Sequence, residues 1–408
     1  MWVESLRLVC FRNMAEASLR FSPCLTIILG PNGAGKSNCL EALYLLSRGR
    51  SPRTNRDSEL PGFGANEARA AVRVHNKRLN LSQSLDVTFT RQAPSKHVAD
   101  RFRARFRLNE QGVKQRSDLV GHLATVPFFL SDLLMLRGAP ADRRNALDAM
   151  LVQWQPEHLA ALTQFIRVKE QKGGYLKQCL KLGRRVDEAV LDTYDEQLVT
   201  TGSQVMTLRM AGLEALQPQA QQYWLALSPE QESLALDYHC AVDDVLEDGE
   251  VSRPEQLGQR FAEAIARCRP EEIRRGLVLT GPHRDDFRPT LNGRDACTYA
   301  SQGQQRSVVL ALKLAEIALL KTFYNGESPV LLLDDVMAEL DPFRQQQLIR
   351  HLSPDMQVIL TTTHLDKELK EYVDQVDSAE IISLKGGQIQ AVNYFDHGQT
   401  VAPPTRVP

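Results

Sequence analysis

Gly30-Pro-Asn-Gly-Ala-Gly-Lys-Ser37 follows the pattern G-x-x-x-x-G-K-[ST], after an apolar run and before a helical one. Successive backbone N–H groups in such a loop point inward and cradle the α- and β-phosphates of a nucleotide. Gly30, Gly33 and Gly35 let the main chain approach without a side chain in the way, and the helix dipole adds positive potential. Pro31, Asn32, Ala34 and Asn38 complete the stretch expected to touch the nucleotide. Lys36 is expected to reach the β- and γ-phosphates, and the Ser37 hydroxyl to bind Mg²⁺. Val330-Leu-Leu-Leu-Asp-Asp335 closes an apolar strand in two carboxylates. Asp334 there suits Mg²⁺, and Asp335 suits orienting the attacking water. Ser301, Gly303 and Gln304 open a long helical pattern whose N-terminus suits a γ-phosphate; the competing reading, that Ser301 is no more than a helix N-cap, is disfavoured by the order glycine loop, helix start, acidic strand. Thr361-Thr-Thr-His364 closes another strand, which sets His364 to contact the γ-phosphate or the water. Lys36, Asp335 and His364 are the expected catalytic residues.

The elements that must position these groups are legible in outline. Leu25 to Leu29 is a short β-rich run, and Lys36 to Leu46 is helical in pattern. Ala68 to Phe89 alternates as strands do. Arg101, Arg103, Arg105 and Arg107 alternate with Phe102, Ala104, Phe106 and Leu108, so a strand there presents four guanidiniums on one face. Residues from about 138 to 275 are rich in Leu, Ala, Glu, Gln and Arg at helical spacing and read as long helices, with Gly173–Gly174 and Gly183 as ends or turns. Strand patterns return after Gly276. Asn292–Gly293 and Gly386–Gly387 predict hairpin turns. The fold class expected is α/β, with the head split into residues 1–127 and 276–396, an all-helical arm at 128–275, and a disordered tail at 397–408.

The 408 residues are 43% hydrophobic, ordinary for a globular protein and enough for two domains. No stretch approaches 18 uncharged apolar residues, and Met1 to Asn13 lacks the apolar run of a signal peptide, so a cytoplasmic protein with no membrane partner is expected. The seven cysteines form no Cys-x-x-Cys pair, which points to neither a zinc site nor a disulfide framework. Net charge is −1, but residues 1–118 hold 20 basic and 10 acidic residues, and the remainder has a net charge of −11. That asymmetry suggests a polyanion face on the N-terminal third. Arg101, Arg103, Arg105 and Arg107 are the first candidates for it, with Arg53, Arg56, Lys96 and Lys114 behind them. The competing reading is a solvated sheet face whose arginines keep an edge strand soluble.

Together these motifs resemble the ABC-ATPase superfamily: Walker A at Gly30–Ser37, signature at Ser301–Gln305, Walker B at Leu331–Asp335, D-loop at Ala338–Asp341 and the switch histidine His364. Within it the chain resembles the RecF family, on Thr280-Gly-Pro-His-Arg-Asp-Asp286, Ser301-Gln-Gly-Gln-Gln-Arg306, Leu310-Ala-Leu-Lys-Leu-Ala-Glu316 and Gly138-Ala-Pro-Ala-Asp-Arg-Arg144. The resemblance implies ATP and Mg²⁺ as cofactors and a homodimer formed with ATP. It also implies binding to double-stranded and gapped DNA near single-strand/double-strand junctions, recombinase loading with RecR- and RecO-type mediators, and slow hydrolysis. The chain departs from the superfamily pattern in two places. Phe128 to Leu133 lacks the glutamine that usually completes the Mg²⁺ shell, and Asp335 stands where transporters carry Glu.

Three rivals bear weighing. A transporter subunit does not fit the 265 residues between Lys36 and Ser301. An SMC- or Rad50-like chromosome ATPase needs coiled coils longer than this arm. A nucleotide-gated scaffold for proteins alone fits the acidic remainder, and salt-sensitive DNA binding discriminates against it.

Overall fold

The computed structural model describes every residue except 55, 79, 93–100, 134, 229–231, 353–354 and 402–408. The chain divides into two compact units, Met1–Asp132 with Glu316–Pro408, and Leu133–Ala315.

The first unit opens with strands β1 (Trp2–Phe11), β2 (Met14–Arg20) and β3 (Leu25–Leu29), then helix α1 (Lys36–Arg48). Strands β4 (Glu67–Asn76), β5 (Leu81–Arg91), β6 (Phe102–Leu108), β7 (Gln111–Gly112) and β8 (Thr125–Phe128) and the short helix α2 (Leu130–Leu133) follow. The second unit holds α3 (Pro140–Leu151), α4 (Pro156–Leu182), α5 (Glu188–Leu227), β9 (Leu234–His239), α6 (Ala241–Leu246), α7 (Leu257–Arg275), β10 (Asp286–Leu291), β11 (Arg294–Asp295), α8 (Ala296–Tyr299) and most of α9 (Gln302–Phe323). The first unit then resumes with β12 (Val330–Asp334), α10 (Pro342–His351), β13 (Val358–Thr362), α11 (Lys367–Gln375), β14 (Ser378–Lys385), β15 (Gln388–Asp396) and β16 (Gln399–Val401).

Two sheets build the first unit. One is antiparallel, in the order β2-β1-β4-β5-β6-β7. The other runs β16-β15-β14-β3-β13-β12-β8, and its five strands from β14 to β8 are parallel. Helix α1 packs on β1, β4 and β5 of the first sheet and on β8, β12 and β13 of the second. Sandwiched so, it is buried nearly all round: Cys39, Leu40, Ala42, Leu43, Leu45 and Leu46 are inaccessible. Buried polar groups of this helix find partners, as that environment demands. Ser47 bonds Thr125 at 2.7 Å, and Arg48 donates to Thr125 O at 3.0 Å and to Glu316 at 3.2 Å. Gly49, at φ 70, caps the helix by donating to Leu45 O.

In the second unit α4 and α5, of 27 and 40 residues, pack together with α7. Phe165, Leu198, Met206, Phe261 and Ala264 form its core.

Four expectations change. Gly173–Gly174 lies inside α4, which runs on to its cap at Gly183 (φ 59): the apolar face Phe165, Val168, Leu176, Cys179 continues across the glycines, and packing outweighs their propensity. The arm is not all helical, because β9 pairs with β10, and β10 with β11, in a three-stranded sheet. The unit boundaries fall at 132/133 and 315/316 instead of 127/128 and 275/276: β10 pairs with β9 and packs on α3, which draws the segment after Gly276 into the helical unit. The expected tail at 397–408 begins as β16, bonded to β15, and residues 402–408 lie outside the described ones. Both hairpins form as the glycines require. Asn292 and Gly293 have φ 48 and 75, Gly386 and Gly387 φ 57 and 78, the positive pair of a type I′ turn.

Candidate nucleotide site

Parallel register collects the motifs of the first unit. Leu29 pairs with Thr362, Thr361 with Asp334, and all three strands run the same way. Hence the loop after β3, the acids ending β12 and the Thr361–His364 segment ending β13 emerge together at the carboxyl ends of adjacent strands, where open α/β sheets bind ligands.

The loop has a built shape. Gly30 N–H donates to Thr362 O at 3.2 Å, and Gly387 N–H to Ala34 O at 3.0 Å. Gly33 and Gly35 sit at φ 78 and 102, a region side chains avoid. A Cβ on Gly30 would lie 2.3 Å from Leu384 O, and one on Gly35 2.5 Å from Met14 Sδ, whereas one on Gly33 would meet nothing within 4 Å. Gly33 therefore presents bare backbone to open space at the head of α1, the arrangement a phosphate needs. Pro31 and Asn32 are exposed beside it, Ala34 is buried, and Ser37 and Asn38 are half-buried on the first turn of α1.

Lys36 is 4% exposed. Its ammonium donates to Gly30 O at 2.9 Å and lies 3.7 Å from Asp335 Oδ2. Burial raises the pKa of Asp335, Lys36 opposes this, and neighbouring Asp334 adds to it. Asp335 is also a non-glycine residue at φ 53, a conformation that costs free energy and clusters at functional sites. Thr361 ties the acids together: its hydroxyl donates to Asp334 Oδ1 at 2.8 Å and accepts from Asp335 N–H at 3.0 Å. His364 is exposed, with Nδ1 3.1 Å from Thr363 Oγ1. Ser37 and Asp334 offer oxygen donors, the kind Mg²⁺ takes.

Sequence reasoning missed the residues that brace the loop. Asn13, in the turn between β1 and β2, donates to Gly33 O at 2.8 Å and accepts from Asn38 at 2.7 Å. Arg12 grips buried Glu41 with two bonds, of 3.0 and 2.6 Å, and Ser51 donates to the same carboxylate at 2.6 Å. Arg53, a minor candidate for a polyanion face, donates to Asn38 at 2.9 Å and lies 3.4 Å from Glu41. The available signal was a buried acid inside an apolar helix, which demands cationic partners.

In the second unit Ser301 and Gln304 form a reciprocal capping box at the head of α9: Ser301 N–H donates to Gln304 Oε1 at 2.9 Å, and Gln304 N–H to Ser301 Oγ at 3.2 Å. Ser301 therefore caps the helix, and the exposed residue stands at its N-terminus beside half-buried Gly303. Gln305 is fixed by Arg137 at 2.7 Å.

Thr280–Asp286 is the brace of this unit. Asp286 receives two bonds of 2.8 Å from Arg143. Asp285 accepts from Ala241 N–H at 2.8 Å and from the Tyr238 hydroxyl, and burial pushes its carboxyl up to about 6. Arg209 donates to Pro282 O at 2.6 Å and grips Asp148 with two bonds of 2.8 Å. Burial lowers His283 to about 4.

The arginine stripe forms as the alternation predicts. Arg103, Arg105 and Arg107 are exposed opposite Thr90, Thr88 and Asp86 of β5, while Phe106 turns into the core. Arg69 stands in the same row as Thr88 and Arg105. Arg69 and Arg73 are ion-paired to Asp86 and Glu4, whereas Arg101, Arg103, Arg105 and Arg107 make no ion pair among the described residues. Arg56 reaches Glu59, Lys114 is exposed, and Lys96 lies outside the described residues.

The glycine loop, paired acids and His364 gathered at the carboxyl ends of parallel strands, with the Ser301 helix start elsewhere in the same chain, are the parts of an ATP-binding ATPase of the ABC type. The family model RecF/RecN/SMC N terminal domain matches residues 2–381. DNA replication and repair protein RecF of Acaryochloris marina is 37% identical over 396 residues, 96% of this chain and 99% of its own. A solved structure of the recombination mediator protein RecF with ATP, in the RecFOR pathway, superposes with a TM-score of 0.81 at 26% identity, over 98% of both chains. An Smc head bound to the C-terminal winged-helix domain of ScpA shares the fold, with a TM-score of 0.54 at 17% identity over 97% of this chain and 98% of its own. The chain belongs to the RecF family.

Proposed function

We propose that the chain is an ATP-gated DNA-binding protein of recombinational and replication-gap repair, acting in the cytoplasm. Two copies close head to head. Gly30–Asn38 of one copy and Ser301, Gly303 and Gln304 of the other hold the same nucleotide, so the γ-phosphate becomes an interface group and ATP favours association where ADP does not. Lys36 leaves its carbonyl partners for the β- and γ-phosphates. Mg²⁺, when bound through Ser37 and Asp334, supplies charge neutralisation at the phosphates. Asp335 accepts a proton from water as the water oxygen bonds to the γ-phosphorus and the bond to the bridging oxygen breaks, releasing ADP and phosphate. His364 steadies the attacking water or the γ-phosphate. The short carboxylate of Asp335 holds water less closely than Glu, which makes hydrolysis a slow reset. The face of Arg101, Arg103, Arg105 and Arg107 takes the phosphates of double-stranded or gapped DNA, and RecR- and RecO-type mediators act with the protein to load recombinase.

The observation that carries this reading is the register that lines up Leu29, Thr362, Thr361 and Asp334, and so gathers the glycine loop, acids and His364 at the carboxyl ends of adjacent strands. Sedimentation without nucleotide, with ADP, and with ATP plus Mg²⁺ tests it. The expected result is a dimer with ATP only, absent in Lys36→Ala and Ser301→Ala. A mass independent of nucleotide would overturn the composite site in favour of a scaffold.

A further inference from the structure

Phe63 is the most exposed large apolar residue among those described, at 110% of its reference surface. Single exposed apolar side chains are common and mean little by themselves. Two features set this one apart.

The first is that its backbone is pinned. Leu60, three residues earlier, is buried, and its carbonyl accepts from Arg12 N–H at 2.8 Å. Pro61 bridges to Phe11, and Gly62 N–H donates to Cys10 O at 2.7 Å. Ala65 N–H closes the turn on Gly62 O at 2.9 Å, with Gly64 at φ 77. The ring is thus held out in water by a turn anchored on both sides.

The second feature is its neighbourhood. Asn66, just beyond the turn, accepts from Arg91 N–H at 2.8 Å. Arg91 pairs with Phe102, Thr90 with Arg103, and Gln92 N–H donates to Arg101 O. The turn therefore sits at the end of the antiparallel sheet where the arginine stripe begins. On the preceding segment the Arg56 side chain is 80% exposed. An exposed aromatic ring at the sheet end from which a row of guanidiniums runs supplies the two parts of a single-strand stacking platform, a ring for a base and cations for its phosphates.

We propose that Phe63 stacks on an unpaired DNA base while the arginine face holds the adjoining phosphates. This rests on the DNA-binding reading above and deepens it. Every base has a π-face, so the contact is indifferent to sequence, but inside a duplex both faces are already stacked. Phe63 therefore gives the protein its preference for a junction over continuous duplex. The arginines, by contrast, serve both substrates.

The test uses the full chain with ATP and Mg²⁺. Fluorescence anisotropy is read on a gapped duplex and on a duplex of equal length closed by hairpins, and 2-aminopurine is placed at the first unpaired base of the gap. The expected result for Phe63→Ala is about a tenfold loss on the gapped DNA with the closed duplex unchanged within about twofold. The 2-aminopurine quench of the native protein disappears in Phe63→Ala and returns in Phe63→Trp. Arg103→Ala with Arg105→Ala weakens both DNAs alike. An unchanged Phe63→Ala, or an equal loss on both DNAs, overturns the stacking role and leaves the DNA-binding reading standing. Native protein that binds neither DNA overturns both.

Discussion

Three glycines in the phosphate loop are required for three different reasons. Gly30 faces a backbone carbonyl, Gly35 the flexible end of Met14, and Gly33 open space at a positive φ. A methyl at Gly30 would meet Leu384 O at 2.3 Å, and β3 and β14 would have to part to admit it. Gly30→Ala is therefore expected to lower stability by about 1–3 kcal/mol and to weaken nucleotide binding, by urea unfolding and calorimetric titration. At Gly33 the same change meets no neighbour and costs about 1 kcal/mol from backbone conformation alone. A larger loss at Gly33 than at Gly30 would refute this division.

At the scale of elements, buried ion pairs tie the second unit together. Arg209 on α5 holds Asp148 on α3 and the carbonyl of Pro282, and His158 on α4 approaches the same Asp148 at 2.9 Å. Arg209 and His158 hold the Asp148 carboxyl well below its ordinary range. Removing the cation strands that carboxylate in the core, so Arg209→Ala is expected to cost about 3–5 kcal/mol. The loss should appear in urea unfolding, and as faster hydrogen exchange in α3 and α5 than in β3 or β13. Loss spread evenly over both units would contradict it. The same network explains why Thr280–Asp286 is rich in charge: Asp285 and Asp286 anchor the start of β10 to α3 and α5 through Arg143, Arg144 and Arg209, and to β9 through Tyr238.

The stability of the whole molecule should carry the mark of Glu380. It lies on β14, 3% exposed, at a cavity of about 750 Å³ lined by Trp2, Phe21, Tyr394 and Phe395. Burial pushes its carboxyl up to about 7, against opposing pulls from Tyr394, the Ser22 backbone and Arg20. An acid raised in the folded state binds a proton that the unfolded chain has already lost. Its contribution is therefore greatest below the unfolded value, about 4.5, and declines as pH rises through about 7. Glu380→Gln is expected to raise Tm at pH 8, by on the order of 1–3 kcal/mol of stability, and to flatten the fall between pH 5 and 7. A variant less stable than native at pH 8 would show that the charged form is favoured instead.

What the sequence determined by itself was the local chemistry. Gly30–Ser37, the β12 acids, the Ser301 helix start, both hairpins and the alternation of Arg103 to Arg107 are written in runs of a few residues, where steric and periodic rules act without long-range partners. Tertiary structure alone decided the rest. Gly173–Gly174 stay helical because α4 has a face to bury. Residues 276–315 pack with the helices because β10 finds β9. Arg12, Asn13 and Arg53 brace the phosphate loop because folding brings them to Glu41, Asn38 and Gly33. Pairing across such separations depends on which surfaces the whole chain leaves to be covered, and no short window of residues contains that information.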